Sequence, residues 1–85
     1  MPFSVYIIYS KTIDQYYVGH SADLTNRLFR HNNSGSKATK KAKDWKIVYT
    51  ENYETRAEAS QRESEIKKKK SRNYIEKLRD QFKTN

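Results

Sequence analysis

The chain has 85 residues, a formal net charge of +8, a sequence pI near 9.8 and no cysteine. A chain of this size closes roughly 60–65% of its unfolded surface into one modest core, so a single domain spanning residues 1–85 is expected, and the missing thiols exclude a disulfide scaffold and a cysteine nucleophile. No stretch reaches the ~20 apolar residues that a membrane span requires and no basic-then-apolar leader opens the chain, which leaves a cytoplasmic setting without membrane attachment as the expectation.

The first apolar segment, "SVYIIY" at 4–9, is short, β-branched and aromatic, and both of its alternating faces are apolar. That pattern predicts a central, covered strand. "KTID" supplies a turn, and "QYYVG" at 15–19 predicts the second strand of an antiparallel hairpin. Gly19 closes that strand where backbone must approach closely or take a positive φ. Ser21 or Asp23 then caps a helix that runs to about Asn32, and Asn33-Ser34-Gly35 stops it. Residues 34–44 read as a polar, lysine-rich loop. "WKIVYTENY" at 45–53 predicts a third strand. Thr55 with Glu58 three residues on has capping-box spacing and opens a second helix to about Lys70. The last helix, 71–82, carries an apolar stripe of Tyr74, Ile75, Leu78 and Phe82, serving a core or a dimer seam. The order is ββαβαα: an α+β fold with a small three-stranded antiparallel sheet flanked by helices.

Cations gather in two clusters, Lys37, Lys40, Lys41 and Lys43 in the loop and Lys67, Lys68, Lys69 and Lys70 in the second helix. Lysine runs are often just a solvated face, but two on so small a chain point to a polyanion. Polar residues also occupy positions where a core is expected. On the first helix Leu24 and Leu28 set the inward stripe, and Arg27 and His31, four residues apart, fall within or beside it. On the second helix Glu63 lies between the inward residues Ala59 and Ile66, where a carboxylate costs several kcal/mol unless paired, hydrogen-bonded or metal-bound. Tyr6 and Tyr17 stand on the two strands of one hairpin. A structural network, with Glu63 paired to Arg27, accounts for any one of these residues. Five at once in a basic chain point to a site that cuts phosphodiesters: a carboxylate for a hard cation, an arginine for the phosphate, and a phenol or imidazole for the water proton.

The ordered set "VYI", "YVG", Arg-x-x-x-His and a later helical glutamate resembles the signature of the GIY-YIG nuclease family, with "VYI" for GIY and "YVG" for YIG. The resemblance runs from about residue 4 to residue 79, nearly the whole chain, and is strongest to small single-domain bacterial members. It implies that Tyr6, Tyr17, Arg27, His31 and Glu63 are catalytic and that Glu63 is the sole protein ligand of one Mg²⁺ or Mn²⁺ ion. Tyr17 helps take the proton from water in that scheme, Arg27 steadies the phosphate, and the metal stabilises the leaving 3′ oxygen. A phenol of ordinary pKa, near ~10, is a poor base at neutral pH, so nearby cations would have to lower it. The chain departs from the pattern at Val5, in place of the first glycine, and at His20, where other polar residues occur. Gly19 and His20 are auxiliary positions, as is Asn73, which stands where an asparagine completes some family sites.

The implied function is a metal-dependent endonuclease acting on DNA, with the lysines on phosphates and, for want of a reading helix, a preference for structure over sequence. DNA repair or recombination is the setting that would suit it. The alternatives are a nucleic-acid-binding module that cuts weakly or not at all, and a subunit that needs a protein partner.

Overall fold

The computed structural model describes residues 2–33 and 39–83. Its elements are β1 (Phe3–Ser10), β2 (Gln15–Ser21), α1 (Leu24–Asn33), β3 (Lys46–Tyr53), α2 (Arg56–Lys69) and α3 (Arg72–Lys83). The three strands form one antiparallel sheet in the order β2-β1-β3. The expected ββαβαα arrangement is the one observed.

β1 is central because both of its faces are apolar and both are covered. Val5 and Ile7 point to one side and join Val18, Ala59, Ile66 and Leu78 in a core under α2 and α3. Tyr6 and Ile8 point to the other and join Ala42 and Trp45, with Leu24 and Leu28 of α1 packed against them. Tyr74 and Ile75 of α3 pack on the first core and Leu78 is buried in it, whereas Phe82 stays largely exposed beside the Tyr49 ring. The stripe of α3 therefore serves this chain's own core.

Local chemistry sets the element boundaries. Asp23 is the cap of α1: the Asn26 amide donates to its Oδ1 at 3.1 Å, and the Ser21 hydroxyl braces the Asp23 backbone. Thr55 caps α2, accepting from the Glu58 amide at 3.2 Å, while its own hydroxyl donates to the Glu58 carboxylate at 3.1 Å. α2 ends at Lys70, a non-glycine residue in the left-handed region (φ 46°, ψ 36°) whose amide donates to the Lys67 carbonyl. Asp14 takes a positive φ of 52° in the β1–β2 turn, a conformation aspartate tolerates better than most residues.

Two expectations change. Trp45 is not the first residue of β3, which begins at Lys46. It is a buried anchor, fixed by backbone hydrogen bonds to both amide atoms of Asn32 and by its indole N–H on the Thr39 carbonyl. The segment before it is not a plain solvated loop either, since Thr39 and Ala42 are also buried. Thr39, Ala42 and Trp45 thus lay 39–45 across the α1 face of the sheet, leaving Lys40, Lys41 and Lys43 exposed.

Candidate active site

Tyr6 lies in the middle of β1, directly opposite Gly19 of β2. A Cβ built at position 19 would lie 2.6 Å from the Tyr6 hydroxyl oxygen and 2.7 Å from its Cζ, so the phenol crosses the strand where only glycine leaves room. The glycine is there for close approach, and its backbone is not left-handed. The buried Tyr6 hydroxyl lies 2.8 Å from His31 Nε2, and His31 Nδ1 lies 2.9 Å from the Thr39 hydroxyl. Burial, then the proximity of Tyr17, pushes the Tyr6 phenol well above its ordinary value, with the Arg27 guanidinium opposing and Glu63 adding to the rise. Burial and the same guanidinium lower His31. Both groups are therefore neutral near pH 7, and a neutral imidazole offers the one donor and one acceptor that its two neighbours require.

The sequence places His31 within or beside the Leu24–Leu28 stripe. It is the one buried residue of α1 among the described residues, deeper than Leu24 or Leu28. Arg27 sits one turn earlier and is exposed, with its charge acting on both Tyr6 and His31. Tyr17 is half-buried, its ring centroid 5.1 Å from that of His31. The Lys67 ammonium lies 5.5 Å from the centroid of the same phenol.

Glu63 reaches this group from α2. Its Oε1 meets His20 Nδ1 at 2.5 Å and its Oε2 accepts from Lys67 Nζ at 2.7 Å. Burial alone would raise its carboxyl, but the bonds from Lys67 and His20 outweigh that and hold it below the usual range, so it is an anion. Pairing with Arg27, the structural alternative raised by the sequence, does not occur: the partners are His20 and Lys67. The structure thus gathers Tyr6, Tyr17, Arg27, His31 and Glu63 around β2, with His20 and Gly19 among them. Asn73 is not brought in; it is exposed on the first turn of α3, and no hydrogen bond joins it to the cluster. Lys68, Lys69 and Lys70 are exposed at the end of α2, while Lys37 lies outside the described residues.

The sequence assigned Lys67 only to phosphate and made His20 an auxiliary position with its role open. The Glu63–Lys67 spacing of four on one helix face was a legible signal, whereas His20 is 43 residues from Glu63 and only the fold joins them. Thr39, the second partner of His31, carried no signal at all.

A match to the family model of the GIY-YIG catalytic domain covers residues 2–78. The chain belongs to the GIY-YIG nuclease family. This GIY-YIG chain is 39% identical over 64 residues to a UPF0213 protein of Staphylococcus saprophyticus, covering 74% of this chain and 77% of that one. It is 44% identical over 52 residues to a UPF0213 protein of Staphylococcus epidermidis, covering 60% of this chain and 63% of the relative. Its fold resembles the solution NMR structure of a UPF0213 protein from Bacillus halodurans, with a TM-score of 0.55 and 30% identity over 92% of this chain and 82% of that one.

GIY-YIG nucleases generally use divalent metal ions. Among the described residues no three His, Cys, Asp or Glu side chains cluster to form a cage. A hard ion such as Mg²⁺ needs no such cage, since one carboxylate with waters and substrate phosphate oxygens suffices. Glu63 fits that role: it is an anion, its side chain is one-fifth exposed, and its Oε2 partner is the mobile end of a half-exposed lysine.

Proposed function

We propose that this chain is a single-domain, divalent-metal-dependent endonuclease that hydrolyses phosphodiester bonds in DNA and selects structure or flexibility rather than sequence. The observation that supports this reading is the meeting of Tyr6, Tyr17, Arg27 and Glu63 around one strand, where a structural role needs no two phenols, guanidinium and carboxylate together.

Glu63 would hold the ion, with His20 fixing its other oxygen, and the charge supplied there would stabilise the oxygen that leaves the phosphate. Arg27, exposed and always charged, binds the phosphate oxygens bidentately. The two tyrosines divide their work. Tyr6 keeps its proton, and with its hydroxyl on His31 it serves as a fixed donor and spacer rather than a base. Tyr17, less buried and beside the Lys67 ammonium, is the phenol placed to take the proton of the attacking water. Lys67, freed from Glu63 where that carboxylate holds an ion, would bind a substrate phosphate, and Lys40, Lys41, Lys43, Lys68, Lys69 and Lys70 would hold the backbone on either side.

A second reading draws on the same ion pairs: a binding module in which Glu63 serves only His20 and Lys67. Nicking of supercoiled plasmid in Mg²⁺ or Mn²⁺ separates the two. The nuclease reading expects nicking by the native chain, none with EDTA, and a loss of at least about a hundredfold in Glu63→Gln, which keeps the shape but removes the charge and one of the two acceptor oxygens. Native protein that binds DNA without nicking it, or nicking that survives Glu63→Gln, leaves the binding module.

A further inference from the structure

Beside the clustered residues, an open groove of about 410 Å³ runs between the start of β2 and the junction of α2 with α3. We propose that it holds one unpaired nucleotide of the DNA strand being cut, adjacent to the scissile phosphate. The inference rests on the nuclease reading above and adds a subsite to it.

The groove has an apolar floor and basic rims. Val18, Ile66 and Ile75 form the floor, and all three belong to or pack on the core beneath. The Tyr16 ring stands on the strand side and is held by three neighbours: the Tyr9 ring at 4.7 Å between centroids, the Arg72 guanidinium 5.3 Å over it, and Arg79, which donates to its hydroxyl at 2.5 Å. Aromatic and guanidinium planes are the surfaces on which unpaired bases stack. Lys67, Lys70 and Arg72 line the same groove and place three cations within reach of the phosphates on either side of such a base. One carboxylate, Asp14, also lines it, but it is committed: Tyr9 donates to it at 2.5 Å and Arg72 at 2.6 Å. These bonds hold Arg72 over the ring and keep the wall in place before any ligand arrives.

Continuity with the catalytic cluster sets the occupant. Tyr17 and Lys67 line the groove, and Lys67 is also the partner of Glu63. A strand whose phosphate lies at Arg27 and Glu63 therefore has its neighbouring nucleotide at this opening. The volume is that of a small-molecule site, on the scale of one nucleotide. This supplies a physical basis for structure selection: a bulge, flap or junction delivers a free base here, whereas an intact duplex must first unstack one.

Two measurements test the inference. Gln15 is exposed at the mouth of the groove, so Gln15→Trp plugs it without removing a core contact. The native chain is expected to cut a duplex with a three-nucleotide bulge about tenfold faster than the same duplex unbulged, and Gln15→Trp is expected to erase that preference while cutting plain duplex within about twofold of native. Independently, titrating trithymidylate into the native chain is expected to shift the amide resonances of Gln15–Val18 and Ser71–Ile75 in NMR spectra. A preference that survives the plug overturns the groove and leaves the nuclease standing. So do shifts confined to the Lys40–Lys43 face, whereas tighter binding of triuridylate than of trithymidylate overturns the assignment of the held nucleotide to DNA. Absence of any cutting by the native chain removes the nuclease reading instead, and the amide shifts alone then decide whether the groove takes a nucleotide.

Discussion

A methyl group at position 19 has nowhere to go. The hydroxyl and Cζ of Tyr6 occupy its place at 2.6 and 2.7 Å, and that ring is itself fully buried with its hydroxyl held by His31. Gly19→Ala must displace the phenol or part the strands, and overpacking of this kind typically costs about 1–3 kcal/mol. The expected outcome is a lower melting temperature together with a marked loss of nicking by the folded fraction, since the displaced ring belongs to the proposed site. Native stability and native nicking in this variant would show that Tyr6 is free to move. Single residues were legible in the sequence where their type was incongruous with their position. Glu63 between two apolar helix residues, Arg27 and His31 beside a leucine stripe, and the paired tyrosines all announced themselves in that way. The depth of His31 did not, because its burial depends on Thr39, a small polar residue in a segment whose composition is dominated by lysine.

Among the elements, β1 and the capped start of α2 were the most legible: apolar residues on both faces of one short segment leave a strand only the centre of a sheet, and Thr55 with Glu58 marks a helix start by hydrogen-bond chemistry alone. The segment 39–45 was not. Its three anchors are a hydroxyl residue, an alanine and a tryptophan, and most of what fixes them is backbone and side-chain hydrogen bonding that no periodicity records. The end of α2 carries a prediction of its own. Lys70 holds a left-handed conformation that glycine adopts freely, at a place where glycine is the usual choice. Lys70→Gly is expected to raise stability by about 0.5–1 kcal/mol in urea unfolding while weakening DNA binding and reducing the magnitude of its salt slope by about 1. A destabilised variant would show that the Lys70 side chain contributes packing, and an unchanged salt slope would remove it from the phosphate contacts.

For the molecule as a whole, the titrating groups define a plateau of stability with a shoulder on each side. On the alkaline side, burial and Glu51 push Tyr49 up to about 12, and the bond to Glu51 together with burial does the same for Tyr53. Between pH 10 and 12 the folded chain keeps protons that the unfolded chain releases, so stability falls as pH rises through that window. On the acid side His31 is lowered by burial and by Arg27. Below its ordinary value, about 6.5, the unfolded chain takes up a proton that folded His31 refuses, and stability falls as pH drops. Glu51, Asp44 and Glu63, all held below the usual carboxylate range by their partners, extend that loss below about pH 4.5. Denaturant midpoints are expected to be flat from pH 7 to about 10 and lower on either side, with the limb between pH 5 and 6.5 shallower in His31→Gln. Midpoints that rise as pH falls from 7 to 5 in the native chain but not in His31→Gln would show that His31 is charged in the fold.

Tyr6 belongs at once to the middle strand, to the second core and to the cluster of reactive groups. Unfolding of the sheet therefore dissolves the proposed site with it. Warming is expected to give one event in place of two, the circular dichroism signal and any residual cutting fading over the same few degrees. Variants selected for heat resistance in the sheet should, for the same reason, stay competent to the higher temperature without further adjustment near the phenols.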